Sequence, residues 1–406
     1  MPYWYGDIFL DKSAPSWYSE TNIKCKLRED ISMRKDERLG MLPDPFIMRD
    51  GHRVSTLAEW EERRREIIED AIGLEFDGMP PLPEVFRVEA THLRGKGATS
   101  SYRIHCGTKE NPFTFCFYVY RPALDGKLPV VLTGDLTYTM CCTDEVIAEA
   151  NRRGFIVVKF NRNELAPDYA DPDRQCGIYG LWPELKFSAI SAWAWGYHRV
   201  VDALATLDYV DMDHIAVTGH SRGGKTVLLA GATDTRIRYT CPNGSGTHGC
   251  GAYRFNQIEE GEGSYGDTHS EPLQIMMERL NYWMGQGLWD YVGKEETLPH
   301  DSHFFKALIA PRCLLETNGY GDIWANPRGS YLSLLAAKEV WKFYGAEDKC
   351  ACWYRNGGHD HGWLDFNALF NFMEADMKGT PLPADIARVP FEDMEPLHDW
   401  AAPVRG

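Results

Sequence analysis

Long hydrophobic runs are missing from this chain. No window approaches the roughly 18 uninterrupted apolar residues of a membrane-crossing helix, so no span is expected. The first residues, Met1-Pro2-Tyr3-Trp4-Tyr5-Gly6-Asp7, carry neither the basic n-region nor the apolar h-region of a secretion signal. A cytoplasmic location is therefore expected, with a signal removed beforehand as the alternative. Basic runs are scarce too. Arg63-Arg64-Arg65 stands alone and reads as a solvated helix face, and the formal charge is −16. Such a chain repels nucleic acid and anionic membrane, and neither is expected as a partner. Cysteine is plentiful at 11 residues, but its patterns are absent: Cys141 and Cys142 are adjacent, and Cys350 and Cys352 alternate. Neither arrangement is a disulfide framework or a zinc knuckle, so reduced thiols are expected. His300, His303, His359 and His361 lack a known metal-ligand spacing, and no metal or cofactor is expected.

What is present is an ordinary globular composition, 44% hydrophobic and 25% charged over 406 residues, with 13 Trp and 20 Tyr. Residues 1–84 read as an irregular arm followed by an amphipathic helix, Leu57 to Leu74, capped by Ser55 or Thr56. Met79-Pro80-Pro81-Leu82-Pro83 breaks the chain before a core at 85–380. From Phe86 to Tyr120 the alternation predicts antiparallel strands, as in Phe113-Thr114-Phe115-Cys116-Phe117. Buried-type strands follow at Leu128 to Thr133, Phe155 to Phe160, His214 to Thr218, Arg238 to Pro242, Leu308 to Thr317 and Cys350 to Tyr354. Helical patterns separate them: Asp144 to Arg153, Ala189 to Leu207, Ser330 to Tyr344 and Asp365 to Met377. That alternation means a mostly parallel, doubly wound α/β sheet with an antiparallel start. Residues 243–300 read as an insertion over the site, and 381–406 as a tail. No internal repeat is visible.

The chemistry centres on Gly219-His220-Ser221-Arg222-Gly223. A strand runs into a glycine-flanked serine and a helix follows, the context of a nucleophile elbow. The turn is so sharp that positions two before and two after the serine must be small. The hydroxyl then stands clear of the sheet, with the next amide facing a developing oxyanion at a helix start. A serine hydroxyl needs an imidazole, and the imidazole needs a carboxylate to fix its tautomer. In this fold the chain order is serine, acid, histidine, each on a loop after a strand. Asp322 follows one late strand, and Gly357-Gly358-His359-Asp360-His361-Gly362 follows the last. The residues alone leave His359 and His361 open as the base. Gly134 and Asp135, at the end of the 128–133 strand, occupy the place of a second oxyanion donor. Arg222 and Lys225 oppose the helix dipole, which predicts a negative charge for them to meet. Trp324 is a sugar platform or a pocket wall.

Gly219-His220-Ser221-Arg222-Gly223-Gly224-Lys225 resembles the Gly-Cys/His-Ser-Arg-x-Gly-Lys pattern of glucuronoyl esterases, carbohydrate esterase family 15. Leu42-Pro43-Asp44-Pro45-Phe46, Ala189 to Gly196, Ala307 to Arg312 and Asp322 to Pro327 are similar to that family as well. The resemblance spans roughly residues 40 to 378. It implies an α/β-hydrolase that cleaves glucuronic acid esters through a serine acyl-enzyme. By position it makes Ser221 the nucleophile, Arg222 an oxyanion aid, Lys225 a ligand of sugar hydroxyls and Trp324 part of the sugar site. It also favours His361 over His359, because the fungal base precedes a cysteine disulfide-bonded to the residue before the serine. Here Gly362 and His220 stand in those two places. Two departures stand out. Leu229 takes the place of a fungal glutamate that holds the sugar, and Asn243-Gly244-Ser245-Gly246 lacks the acid many members carry there. Asp322 is then the expected triad acid.

The expectation is a metal-free serine carboxylic-ester hydrolase acting on a uronate or related carbohydrate ester. The competing readings are an esterase, amidase or acyltransferase for another metabolite, and a catalytically silent hydrolase-fold binding protein. The sequence does not give the oligomeric state.

Overall fold

The protein is described by a computed structural model covering residues 36–259 and 269–405. The beginning of the arm, the predicted absence of a signal there, and the middle of the 243–300 insertion lie outside the described residues.

The strands are β1 (Glu37–Arg38), β2 (Val85–His92), β3 (Thr99–Gly107), β4 (Pro112–Tyr120), β5 (Leu128–Thr133), β6 (Ile156–Phe160), β7 (Val210–His220), β8 (Tyr239–Asn243), β9 (Phe255–Asn256), β10 (Cys313–Gly319) and β11 (Cys350–Arg355). Nine of them form one sheet in the order β11-β10-β8-β7-β5-β6-β4-β3-β2. β2, β3 and β4 pair antiparallel, and β4 meets β6 antiparallel. The six strands β5, β6, β7, β8, β10 and β11 pair in parallel. β1 and β9 make a separate antiparallel pair.

Period-2 side-chain alternation sends successive residues of the central strands to two different cores. Val130, Leu132 and Val217 join the cluster that contains Trp193, Trp195 and Trp341. Val131, Val157 and Ala216 join the cluster with Val146, Phe366 and Phe370. The result is a three-layer α/β sandwich, as expected. Helices α1 (Leu57–Ile67), α2 (Asp144–Arg152), α3 (Ala189–Leu204), α4 (Arg222–Thr233), α5 (Pro327–Tyr344) and α6 (Trp363–Lys378) supply its outer layers and the arm.

Helix α1 begins on a capping box: Thr56 accepts from the Glu59 amide, and Glu59 answers to the Thr56 amide. It passes into a π-helical stretch at Ile68–Ile72 and ends with Gly73–Phe76. Its basic run is not a solvated face. Arg63 and Arg64 are buried, donating to the carbonyls of Pro45 and Leu308, and Arg65 alone is exposed. Those carbonyls belong to tight turns with no strand partner, so a guanidinium is what satisfies them.

A second expectation is corrected at Leu308–Arg312, which is not strand. Ile309, Ala310 and Arg312 donate to the carbonyls three residues back, extending the short helix His303–Ala307 as a turn. The segment reads as strand because Leu308, Ile309 and Ala310 are wholly buried, and a short apolar run carries no period. At the far end of the chain, Trp400 Nε1 donates to Leu42 O at 2.8 Å, which fastens the last residues to the arm.

Candidate active site

β7 delivers Ser221 at φ 56° and ψ −119°, a conformation that a non-glycine residue adopts only under strain. The turn's tightness is measurable at its glycines. A Cβ on Gly219 would sit 2.5 Å from Gly223 O, and one on Gly223 would sit 2.7 Å from Asp135 Oδ1. The Ser221 amide donates to Asn243 O at 2.9 Å, tying the elbow to the neighbouring strand β8. α4 starts at the next residue, with its first amides lacking intrahelical acceptors.

The parallel strands β10 and β11 end on the same edge of the sheet as β7 and β8. Their loops bring an acid and an imidazole together there. His359 Nδ1 lies 2.7 Å from Asp322 Oδ2, with the two side chains 26% and 3% exposed. The His359 ring is 4.3 Å, centroid to centroid, from the ring of His220, the residue before Ser221. Gly244, at φ 49°, backs this pair: a Cβ there would meet Asp322 Oδ2 at 3.2 Å and His359 Nδ1 at 3.4 Å. The missing acid in the Asn243–Gly246 segment is thus missing where Asp322 and His359 already fill the space.

His361, which the family resemblance favours, faces elsewhere. Its ring is buried and stacks on Phe366 at 4.5 Å, and Nε2 is 3.4 Å from Thr218 Oγ1. Among the described residues, Nδ1 has no partner and no carboxylate bonds to the ring. Burial, then the neighbouring His220 and Arg355, hold its pKa well below the ordinary histidine range. The loop is bent through residues 356–359 rather than extended, and one histidine faces the acid while the other faces the core.

The expected second oxyanion donors are engaged as well. Gly134 N donates to the Tyr197 hydroxyl at 2.6 Å, and Asp135 N to Thr133 Oγ1 at 3.2 Å. The Asp135 carboxylate instead accepts the His220 amide at 2.9 Å and pairs with Arg162, both side chains being buried. Asp135 therefore holds the elbow from below.

Arg222 donates from NH1 to Asp168 Oδ2 at 2.7 Å and lies over the Trp283 ring at 4.8 Å. Asp168 also receives the Tyr138 hydroxyl and Trp283 Nε1. Burial lowers the Arg222 pKa, but Asp168 outweighs it and the net shift is upward. The guanidinium is thus a fixed, permanently charged group beside Ser221.

Lys225 is buried with all three of its donors taken, by Ser245 O and Thr247 O at 2.6 Å and by Glu271 Oε2 at 2.7 Å. The ammonium that the resemblance assigns to sugar hydroxyls is bound here to protein oxygens. Its partner Glu271 also accepts from Trp324 Nε1 at 3.0 Å. Sequence reasoning missed Glu271, the carboxylate that pairs with this lysine. The signal was indirect: a lysine inside a buried helix turn requires an acid, here 46 residues away.

Among the described residues, Asp135, Cys141 and His361 place potential metal-ligating atoms within 4.8 Å of one another. The donor set does not suit a dication. The Asp135 charge is already matched by Arg162, and burial pushes the Cys141 thiol up to about 12. His300 and His303 are held apart from the site by Glu75 and by Pro43 O.

A family model for fungal glucuronyl esterases matches residues 104–345. A 4-O-methyl-glucuronoyl methylesterase from Wolfiporia cocos is 30% identical over 325 residues, covering 79% of this chain and 76% of that protein. A carbohydrate esterase, MZ0003, from an unknown prokaryotic organism is 28% identical, covering 83% of this chain and 90% of it. Among solved structures, a carbohydrate esterase family 15 glucuronoyl esterase from Caldicellulosiruptor kristjansonii superposes with a TM-score of 0.77 at 27% identity, covering 89% of this chain and 97% of that one.

Proposed function

This chain belongs to the glucuronyl esterase family, and we propose that it hydrolyses esters of a uronic acid carboxyl through a serine acyl-enzyme. The observation that carries the reading is the His359–Asp322 pair at 2.7 Å, its imidazole 4.3 Å ring to ring from His220, which directly precedes a serine held at φ 56°. The bond to Asp322 assigns the imidazole proton to Nδ1 and leaves Nε2 as the acceptor. His359 takes the Ser221 proton as Oγ attacks the ester carbonyl. Asp322 stabilises the imidazolium without taking its proton. The Arg222 amide, at the helix start, and the Arg222 guanidinium receive the oxyanion charge. His359 then returns the proton to the leaving alcohol, and water, activated the same way, releases the uronate.

Glu271 and Trp324 supply a wall suited to a sugar: a carboxylate fixed by Lys225 to accept hydroxyls, and an indole face beside it. The expected substrate partner is accordingly a carbohydrate ester. Turnover of benzyl glucuronate against a simple acetate ester, with Ser221→Ala as control, tests the assignment. Preferred cleavage of the glucuronate, abolished in the variant, is expected. A strong preference for the acetate ester would remove the uronate and leave the esterase.

A further inference from the structure

The loop that presents His359 rests on a buried ion pair that the catalytic reading does not use. Arg355, the last residue of β11, donates from Nε to Asp365 Oδ2 at 3.0 Å, and both side chains are buried. Its other two nitrogens reach forward along its own loop. NH1 donates to Gly358 O at 3.1 Å, and NH2 donates to Asp360 O. One guanidinium therefore grips the carbonyls on either side of His359. Asp365 in turn accepts the Gly362 amide at 3.0 Å, closing the loop's far end.

The same carboxylate is joined to the nucleophile side. Asp365 Oδ1 accepts from Asn243 Nδ2 at 2.9 Å, and Asn243 Oδ1 bonds His220 Nδ1 at 2.6 Å. His220 then lies ring against ring with His359, closing a circuit that runs from Arg355 through Asp365, Asn243 and His220 back to the histidine. Burial, and next the charge of His359 itself, push the His220 pKa down to about 4, so a neutral ring backs the base. A guanidinium is the group this geometry requires. It offers planar donors in a fixed fork, which an ammonium cannot replace.

We infer that Arg355 and Asp365 are positioning residues, fixing the His359 imidazole against Ser221, and that Asn243 and His220 carry the constraint to the ring. The inference rests on the catalytic reading above. It predicts a defect in turnover rather than in substrate affinity, because the circuit touches the base and not the sugar wall.

Arg355→Met, Asp365→Asn and their combination would be assayed on benzyl glucuronate, with kcat normalised to sites labelled by a fluorophosphonate. The expected result is a loss of kcat of about 10-fold or more with KM within about 2-fold, the size that a displaced catalytic group produces. The double variant should be no worse than the weaker single, since both break one device. Unchanged kcat per labelled site, or a rise in KM alone, overturns the inference. Should the ion-pair variants fail to fold, His220→Phe keeps the ring and removes the Asn243 bond, and wild-type kcat in that variant overturns it equally. Ser221→Ala and His359→Ala run alongside. If they stay active the catalytic reading falls, whereas if only they are inactive the brace alone falls.

Discussion

At the scale of single residues, two histidines compete for one role. His359 and His361 have the same flexible neighbours, and from the residues alone either could serve. What separates them is their surroundings: one ring meets a buried carboxylate, the other an aromatic ring and a threonine. His359→Ala is therefore expected to lose about 1,000-fold or more in kcat, the scale of a missing general base. His361→Gln should stay within about 10-fold and lose stability instead, by roughly 1–3 kcal/mol for disturbed core packing. Esterase kinetics and urea midpoints on the two variants check this; the reverse ranking would move the base to His361. The elbow at Ser221 was legible because a glycine-flanked serine between strand and helix is a local pattern. The partnership of Asp322 with a histidine of the last loop was legible from chain order. Glu271 was not, since its pairing with Lys225 joins positions that nothing in the local sequence links.

At the scale of elements, the backbone does part of the site's work where side chains are absent. Gly244 follows β8, takes φ 49°, and leaves the volume that Asp322 and His359 occupy. Gly244→Ala combines a left-handed backbone, costing about 1 kcal/mol for a residue with a Cβ, with a contact at 3.2 Å against Asp322 Oδ2. The predicted outcome is a small loss of thermal stability and a fall in kcat, because the acid must shift by a few tenths of an ångström. Wild-type kcat in a folded variant would show that the pair tolerates displacement. The strands of the sheet were legible because alternation and β-branched runs leave little choice. Leu308–Arg312 was misread because full burial erases the period that separates strand from helix. Arg63 and Arg64 were misread because the carbonyls they satisfy come from distant turns.

At the scale of the whole molecule, the core contains histidines that stay neutral, and this sets the response to acid. Burial holds the pKa values of His361 and His303 well below 6.5 and lowers that of His198. The sign follows from where the proton binds. Below about pH 6.5 the unfolded chain protonates these rings and the folded chain does not. Their contribution is therefore complete above that pH and falls as pH drops, by about 1.4 kcal/mol per pH unit for each ring that stays neutral. Glu75 acts in a lower window. Burial would raise its pKa, but His248 and His300 outweigh burial and bring it to about 2. Its stabilisation is present above the unfolded value of about 4.5 and is lost as pH falls from there toward 2. Urea midpoints measured from pH 7.5 to 5 should accordingly decline while the carboxylates are still ionised. His361→Gln should flatten that decline by the slope of one proton, about 1.4 kcal/mol per pH unit, relative to the wild-type chain. An identical pH slope in the variant would mean that the His361 ring takes up its proton in the folded state, against its stacking on Phe366 and the lack of any partner at Nδ1.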